Sequence, residues 1–471
     1  MQGYNPWWAG GSPKAPEFRR LAFRACRQYL ADKQLRRAIL LSGPRRVGKT
    51  TILLQIVDAL LGEKTDPKSV FYISLDHPLL KLVTLPEILR LYHENVYPEG
   101  KPVVLLLDEI QYSKDWELEI KQLVDHRPEY RVLATGSASV VHKDRISDSG
   151  VGRWVTVAIP TLSFYEFLRI RREELPSIPE NIRPADIFEM PSGEIADLGR
   201  RFRSLMPLFL RYLLVGGFPE TARPGDTTFF QRLLREDVVE RVLKRDMTAL
   251  FGVRNVNDLE KLFIYVCLHT GGILAVQSCA SALGITTNTV SNHLESLERA
   301  NLIYRLPPAE IGGKKLLKAR YKVYLVDAAL RNAVLLRGEE ILGNPQELGV
   351  IVETAVLRHL YAYHYPDSPQ IAYWRNPVTK HEVDIIVQSP AYTIPVEVKY
   401  QGTPTLGPDD GIVEFSRKVN PAFAYWVTQR EEDFDVRQFE GLRTRFLRVP
   451  AHVFCYLLGQ AERLLWETAT V

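Results

Sequence analysis

Over the first third of the chain, short apolar runs alternate with longer amphipathic stretches. Ala38–Ser42, Val70–Leu75, Val103–Leu107 and Arg131–Thr135 predict strands, and Lys49–Leu61, a stretch near Leu85–Val96 and Asp115–Asp125 predict the helices between them. Short apolar strands in alternation with helices imply a parallel sheet covered on both faces. Ahead of them, about Glu17 to Lys33, an amphipathic segment carries Phe18, Leu21, Ala25 and Leu30 on one side. Residues 171–195 are rich in proline and charge and read as a lid insertion or loop. A helical region then runs to about Arg245, broken at Gly216-Gly217-Phe218-Pro219. Residues 258–306 read as three short helices and a closing strand. The remainder mixes a helix, Gly349–Tyr363, with strands Ile371–Trp374, Glu382–Val387, Thr393–Lys399 and Ala422–Thr428.

At 471 residues the chain is too long for one core and should divide into about three or four domains. Its 46% apolar and 25% charged residues are those of an ordinary globular protein. No apolar run reaches the ~18 residues of a membrane span, and MQGYNPWWAG lacks the charged and apolar regions of a signal peptide, so a cytoplasmic location without membrane attachment is expected. Cys26, Cys267, Cys279 and Cys455 are scattered and read as buried small hydrophobes. The net charge of +4 is unevenly spread. Residues 1–50 hold eleven Lys or Arg against two acids, and residues 299–322 hold seven against Glu310 alone. Such clusters suit phosphate backbones, so DNA is an expected partner.

Gly43-Pro44-Arg45-Arg46-Val47-Gly48-Lys49-Thr50 follows the first strand directly and opens the first helix of the alternation. In that setting a GxxxxGK[ST] loop wraps triphosphate oxygens with backbone N–H groups at a helix start. Lys49 would reach the β and γ phosphates, and Thr50, with Thr51 beside it, would serve Mg²⁺ and nucleotide. The strand ending in Asp108-Glu109 faces the same crevice. Asp108 would hold the magnesium shell and Glu109 would polarise the attacking water. Thr135 or Ser137, at the end of the next strand, could sense the γ-phosphate.

GPRRVGKTT (43–51), LLLDEIQ (105–111), LATGSAS (133–139), GRWVTVAIPTLSFYEFL (152–168), GGFPE (216–220), YKVYLVD (321–327) and EVDIIV…IPVEVKY (382–400) together resemble the AAA-type ATPases. More narrowly, they resemble bacterial and archaeal members with an uncharacterised C-terminal domain similar to restriction endonucleases. The resemblance implies an arginine finger just before the fifth strand, at Arg153 or, failing that, Arg145, and with it assembly into a ring.

Two further constellations stand outside the phosphate loop. Ser278–Thr286 and Thr287–Ala300 have the shape of a helix-turn-helix in a winged-helix module. Val290, Leu294 and Leu297 are inward, Thr287, Asn288, Ser291 and Asn292 outward, and Lys314–Arg320 is a basic extension. Near the C-terminus, Glu397 and Lys399 share one face of a strand, and a turn near Ser389–Tyr392 would bring Asp384 alongside. Charges that interrupt apolar strands require a partner or a metal. Glu353 on the preceding helix completes a resemblance to the PD-(D/E)xK nucleases, which implies Mg²⁺ or Mn²⁺ held by Glu353, Asp384 and Glu397, with catalysis by Asp384, Glu397 and Lys399. A cross-strand ion network without metal is the other reading of the same residues.

The expected architecture is α/β. It comprises an ATPase core (residues 1–165), a helical lid (166–250), a winged-helix module (251–325) and a nuclease-like α/β domain (326–471). The function expected is ATP hydrolysis by an enzyme acting on DNA. A nucleotide-dependent switch that binds a protein partner, its nuclease-like domain inactive, is the alternative.

Overall fold

Every residue of β1 (Ala38–Gly43) is buried, as the continuous apolar run requires of a strand covered on both faces. The computed structural model describes residues 1–32, 34–137, 152–309, 320–402 and 405–467, with backbone alone at 81, 137, 466 and 467. Residues 1–160 form one compact unit, joined by 299–301, and the rest from residue 161 form a second.

In the first unit β1, β2 (Val70–Ser74), β3 (Val103–Asp108), β4 (Tyr130–Ser137) and β5 (Trp154–Ala158) pair in the order β2-β3-β4-β1-β5. All four pairings are parallel. Helices Lys49–Gly62, Leu85–Asn95 and Trp116–His126 make the crossovers, within a residue or so of the pattern's prediction. Because β4 lies between β1 and β3, the end of β4 stands between the phosphate loop and Asp108. The edge strand β2 is covered by the first residues of the chain. Asn5 accepts from the Tyr72 N–H at 2.8 Å and donates to its carbonyl at 2.9 Å, while the Trp7 and Trp8 indoles both donate to the Val70 carbonyl. An edge capped in this way presents no free backbone ladder there.

The second unit begins with helices, among them Met206–Val215 and Thr227–Leu233, the latter running into π-helical turns at Leu234–Glu240. Helices Val256–His269, Val276–Leu283 and Thr287–Arg299 are interleaved with β6 (Gly272–Leu274), β7 (Ile303–Leu306) and β8 (Tyr321–Leu325), which form an antiparallel sheet with β8 in the centre. Helix Pro345–His364 then precedes a mixed sheet of β9 (Gln370–Arg375), β10 (Glu382–Gln388), β11 (Thr393–Lys399), β12 (Phe423–Thr428), β13 (Asp435–Gln438) and β14 (Arg445–Pro450), ordered β13-β14-β12-β11-β10-β9. Trp374, Ile386, Ile412, Phe415, Trp426 and Phe446 pack as one core beneath it.

The Gly216-Gly217 and Asp327 segments meet inside this unit. Gly216 has φ +75°, and Asp327 accepts from the Gly217 N–H at 3.0 Å and from the Ala329 N–H at 3.0 Å. A Cβ on Gly217 would lie 2.5 Å from the Leu162 carbonyl oxygen. Gly217→Ala is therefore expected to destabilise this unit by about 2–3 kcal/mol through overpacking against backbone. Gly349→Ala, on a helical position with open space around it, should leave the denaturation midpoint unchanged or raise it.

Candidate functional site

Gly43 ends β1 where a Cβ would run into the Ile159 carbonyl, so only glycine lets the chain turn there. Gly48 has φ +98° and starts helix Lys49–Gly62, and Arg46 between them is also left-handed at φ +67°. The loop is thus bent so that its N–H groups and the helix N-terminus face one hollow. Lys49 is 5% exposed, and its ammonium donates to the Gly43 and Pro44 carbonyls, each at 2.9 Å. Arg20, from the N-terminal basic stretch, is buried and donates to the Val47 and Pro160 carbonyls at 3.0 and 2.8 Å. It props the loop from behind and is no phosphate-backbone contact. Thr51 follows in the first helical turn, half-buried.

Thr50 Oγ1 donates to Asp108 Oδ2 at 2.7 Å, and the Tyr72 hydroxyl donates to the same oxygen at 3.1 Å. Thr135 donates to Asp108 Oδ1 and accepts from the Glu109 N–H at 3.0 Å. Burial, then the neighbouring Glu109 charge, raise the Asp108 pKa, and the hydroxyl bonds from Thr135, Thr50 and Tyr72 pull it back. Glu109 leaves the strand at φ +53° and accepts from the Gln111 amide. The structure brings Gly43, Gly48, Lys49, Thr50, Asp108, Glu109 and Thr135 to one end of the sheet. Ser137 pairs with Gly43 through the backbone, and its side chain lies outside the described residues. Tyr72 was not legible as a site residue, since a tyrosine within VFYIS reads as sheet core.

Arg153 sits just ahead of β5, and its carbonyl accepts from the Ala38 N–H at 2.9 Å. Its guanidinium, 37% exposed, is paired with Asp125 of the same chain at 3.1 Å. Arg145 lies outside the described residues, as do Lys314, Lys315 and Lys318 of the basic extension.

In the helix pair of the second unit, Gly284 takes φ +67° between the two helices and the Thr286 hydroxyl accepts from the Thr289 N–H at 3.1 Å. Val290, Leu294 and Leu297 are buried, and Thr287, Asn288, Ser291 and Asn292 are exposed. Arg305 is engaged by Glu298, so it is not among the cations open to a phosphate.

The terminal carboxylates do converge, around a residue the motif reading missed. Ile385 of β10 pairs with Val396 of β11, which sets Asp384 beside Glu397, and a one-residue bulge falls between Val383 and Ile386. Asp384 Oδ2 accepts from the Val398 N–H at 2.9 Å, and Glu397 Oε1 is 2.5 Å from Lys399 Nζ. Lys322, on β8, places its ammonium 2.8 Å from Asp384, 2.9 Å from Glu353 and 2.9 Å from Glu382. Tyr324, two residues on and on the same face, donates its hydroxyl to Glu353. Burial works against the Asp384 charge, but Lys322, Lys399 and the Val398 N–H hold its pKa below the usual carboxylate value. Burial, then the Asp384 charge, push Glu353 up to about 7 and Glu397 up to about 8.

Of the expected metal set, Glu353 and Asp384 meet the Lys322 ammonium, while Glu397 meets Lys399 instead. Among the described residues no His, Cys, Asp or Glu group is arranged to hold a metal ion. Lys322 also leaves the basic cluster at 299–322, where it had counted toward DNA contact. The signal was present, since a lysine inside the apolar strand YKVYLV needs a buried partner as much as Asp384 does. Asp384→Ala is expected to cost about 3 kcal/mol, the scale of breaking a buried ion pair. It should show as a lower denaturation midpoint of the second unit with ATP turnover of the folded protein retained.

The parallel sheet, the phosphate loop and the Asp108-Glu109 strand end define a P-loop ATPase domain of the AAA type, and residues 35–168 match an AAA domain family. Residues 206–340 and 348–450 match two domains of unknown function, DUF8612 and DUF4143. The chain is 26% identical over 339 residues to the uncharacterized protein MJ1637 of Methanocaldococcus jannaschii, covering 69% of this chain and 68% of the relative. It is 22% identical to an uncharacterized protein of Haemophilus influenzae, covering 75% and 82%. Among solved structures, a Thermotoga maritima RuvB Holliday junction branch migration motor aligns at 17% identity with a TM-score of 0.28, covering 61% of this chain and 89% of that one. An AMPPCP-bound DnaA from Aquifex aeolicus aligns at 18% and 0.26, covering 60% and 89%. Among the described residues no helix is long and apolar enough to cross a membrane.

Proposed function

We propose that this chain hydrolyses ATP and uses the cycle to act on DNA. The observation that carries the hydrolytic half is the hydrogen-bonded row Thr50–Asp108–Thr135 with Glu109 turned out at its end. Lys49 draws the terminal phosphates into the loop, and the loop N–H groups orient them for in-line attack. A magnesium ion arriving with the nucleotide would neutralise phosphate charge, and Thr50 and Asp108 are the residues to hold it. Glu109 accepts the proton of the attacking water, with Gln111 fixing its carboxylate.

Arg153 is the trans-acting arginine of this reading, supplied to a neighbour's nucleotide on ring assembly. An ion pair this exposed is worth about 1 kcal/mol or less, so Asp125 can release it. Arg153→Ala should abolish the rise of specific activity with protein concentration. Unchanged turnover at every concentration would remove Arg153 from the role.

The DNA half is supported by the exposed row Thr287, Asn288, Ser291 and Asn292 on the second helix of a winged-helix-like element. ATPase assays with and without duplex, single-stranded and branched DNA test it, with cleavage scored in Mg²⁺ and Mn²⁺ in the same tubes. Turnover indifferent to every DNA, with no binding at low salt, would reject it. A nucleotide-dependent switch acting on a protein partner is the second reading, and the Lys322 ammonium among the nuclease-like carboxylates favours it. Tight ADP retention and a co-purifying small protein would support that reading.

A further inference from the structure

We propose that the Lys322 ammonium is the resident cation of the terminal carboxylate cluster, standing where the nuclease resemblance puts a divalent metal. The domain then binds no Mg²⁺ or Mn²⁺ there, and the cluster is an ionic clasp joining β8 to β10 and to helix Pro345–His364. This rests on the second unit alone and holds or fails independently of the ATPase reading.

An ammonium has three N–H donors, and Lys322 has three carboxylates within 2.8–2.9 Å. Its bonding capacity is met in full, and the oxygens it occupies come from two elements, Glu382 and Asp384 on β10 and Glu353 on helix Pro345–His364. A divalent ion held by Glu353 and Asp384 needs their oxygens at about 2.0–2.6 Å, and Lys322 already holds one oxygen of each. Both cations cannot share them, since their repulsion in a buried site outweighs what either gains. The ammonium also has no easy retreat. Lys322 is 2% exposed, and its strand is paired on both sides, opposite Ile273 of β6 and Leu306 of β7. Swinging Nζ out to water would require β8 to leave the centre of its sheet. Tyr324 adds a further donor to Glu353 from the same face of β8. The arrangement is therefore built around a monovalent, covalently tethered cation. Only the rim at Lys399 and Glu382 is open, with side chains 43% and 29% exposed.

The test is a Mn²⁺ titration followed by electron paramagnetic resonance, without nucleotide, on the full chain. Four proteins are compared: wild type, Asp384→Asn, Lys322→Met, and the double variant. Wild type and Asp384→Asn should bind Mn²⁺ alike. Lys322→Met should gain one ion, at least tenfold tighter than any in wild type, and the double variant should lose it. A Mn²⁺ ion bound by wild type and lost in Asp384→Asn would overturn the proposal. So would Mn²⁺-dependent plasmid cleavage by wild type that Asp384→Asn abolishes. A Lys322→Met protein that folds, with ATP turnover retained, yet gains no ion would overturn it as well. Should Lys322→Met fail to fold, the comparison of wild type with Asp384→Asn decides alone.

Discussion

Lys49→Ala is expected to weaken ATP binding by at least about a hundredfold and to leave no measurable phosphate release. A charge-assisted hydrogen bond is worth about 1.5–3 kcal/mol, and two of them to phosphate oxygens correspond to a factor of 10² to 10³ or more. The Lys49 ammonium is held within the bend of the loop by the Gly43 and Pro44 carbonyls, so it needs little reorganisation to meet a phosphate. Its loss leaves those two carbonyls to water at the mouth of the loop, so the protein without nucleotide should melt as wild type does. The discriminating readout is the thermal shift on adding ATP, present in wild type and absent in Lys49→Ala. An unchanged shift would mean that the triphosphate binds elsewhere.

In the first unit, four strands and the three crossover helices were legible to within a residue or two. β1 and β3 are covered almost entirely and read as unbroken apolar runs, and the loop needs glycine at two fixed places. Such features write themselves into local sequence. The edge cover by Asn5, Trp7 and Trp8 was not legible, because it depends on side chains reaching the backbone of a strand more than sixty residues away. β13 and β14 were also missed. Asp435 and Arg437 interrupt the first and Arg445 and Arg448 the second, and Arg448 is consumed by bonds to Asp433 and Asp435 that the fold supplies.

Lys322 is the instructive miss. Asp384, Glu397 and Lys399 lie within sixteen residues and pair on a hairpin, so local spacing reveals them. Lys322 lies sixty-two residues before Asp384, and its meaning appears only when β8 is set against β10. Counting charges in a window placed it in a basic surface cluster. Burial makes it the counterion of an acidic one. The rule that a charge within an apolar strand must have a partner applies to both signs, and read evenly it would have linked the two strands.

Glu109→Gln is expected to lower turnover by about a thousandfold while ATP affinity stays within a few-fold of wild type. General-base catalysis contributes about 10² to 10⁴, and the substitution removes the base while keeping size and hydrogen bonding. The choice of Glu109 over Asp108 follows from what each oxygen is doing. Both Asp108 oxygens receive hydroxyl bonds, from Thr50 and Tyr72 on one side and Thr135 on the other, in a buried position. That carboxylate is an anchor, and Asp108→Asn should weaken nucleotide binding and turnover together. Glu109 is differently placed. Its left-handed backbone swings the side chain off the end of β3, its N–H is fixed by Thr135, and its carboxylate accepts from the Gln111 amide. Single-turnover assays separate the two roles: Glu109→Gln should retain bound, unhydrolysed ATP through many wild-type turnovers. If it instead releases phosphate within threefold of the wild-type rate, the proton acceptor is another group, and the left-handed turn at the end of β3 serves the shape of the crevice alone.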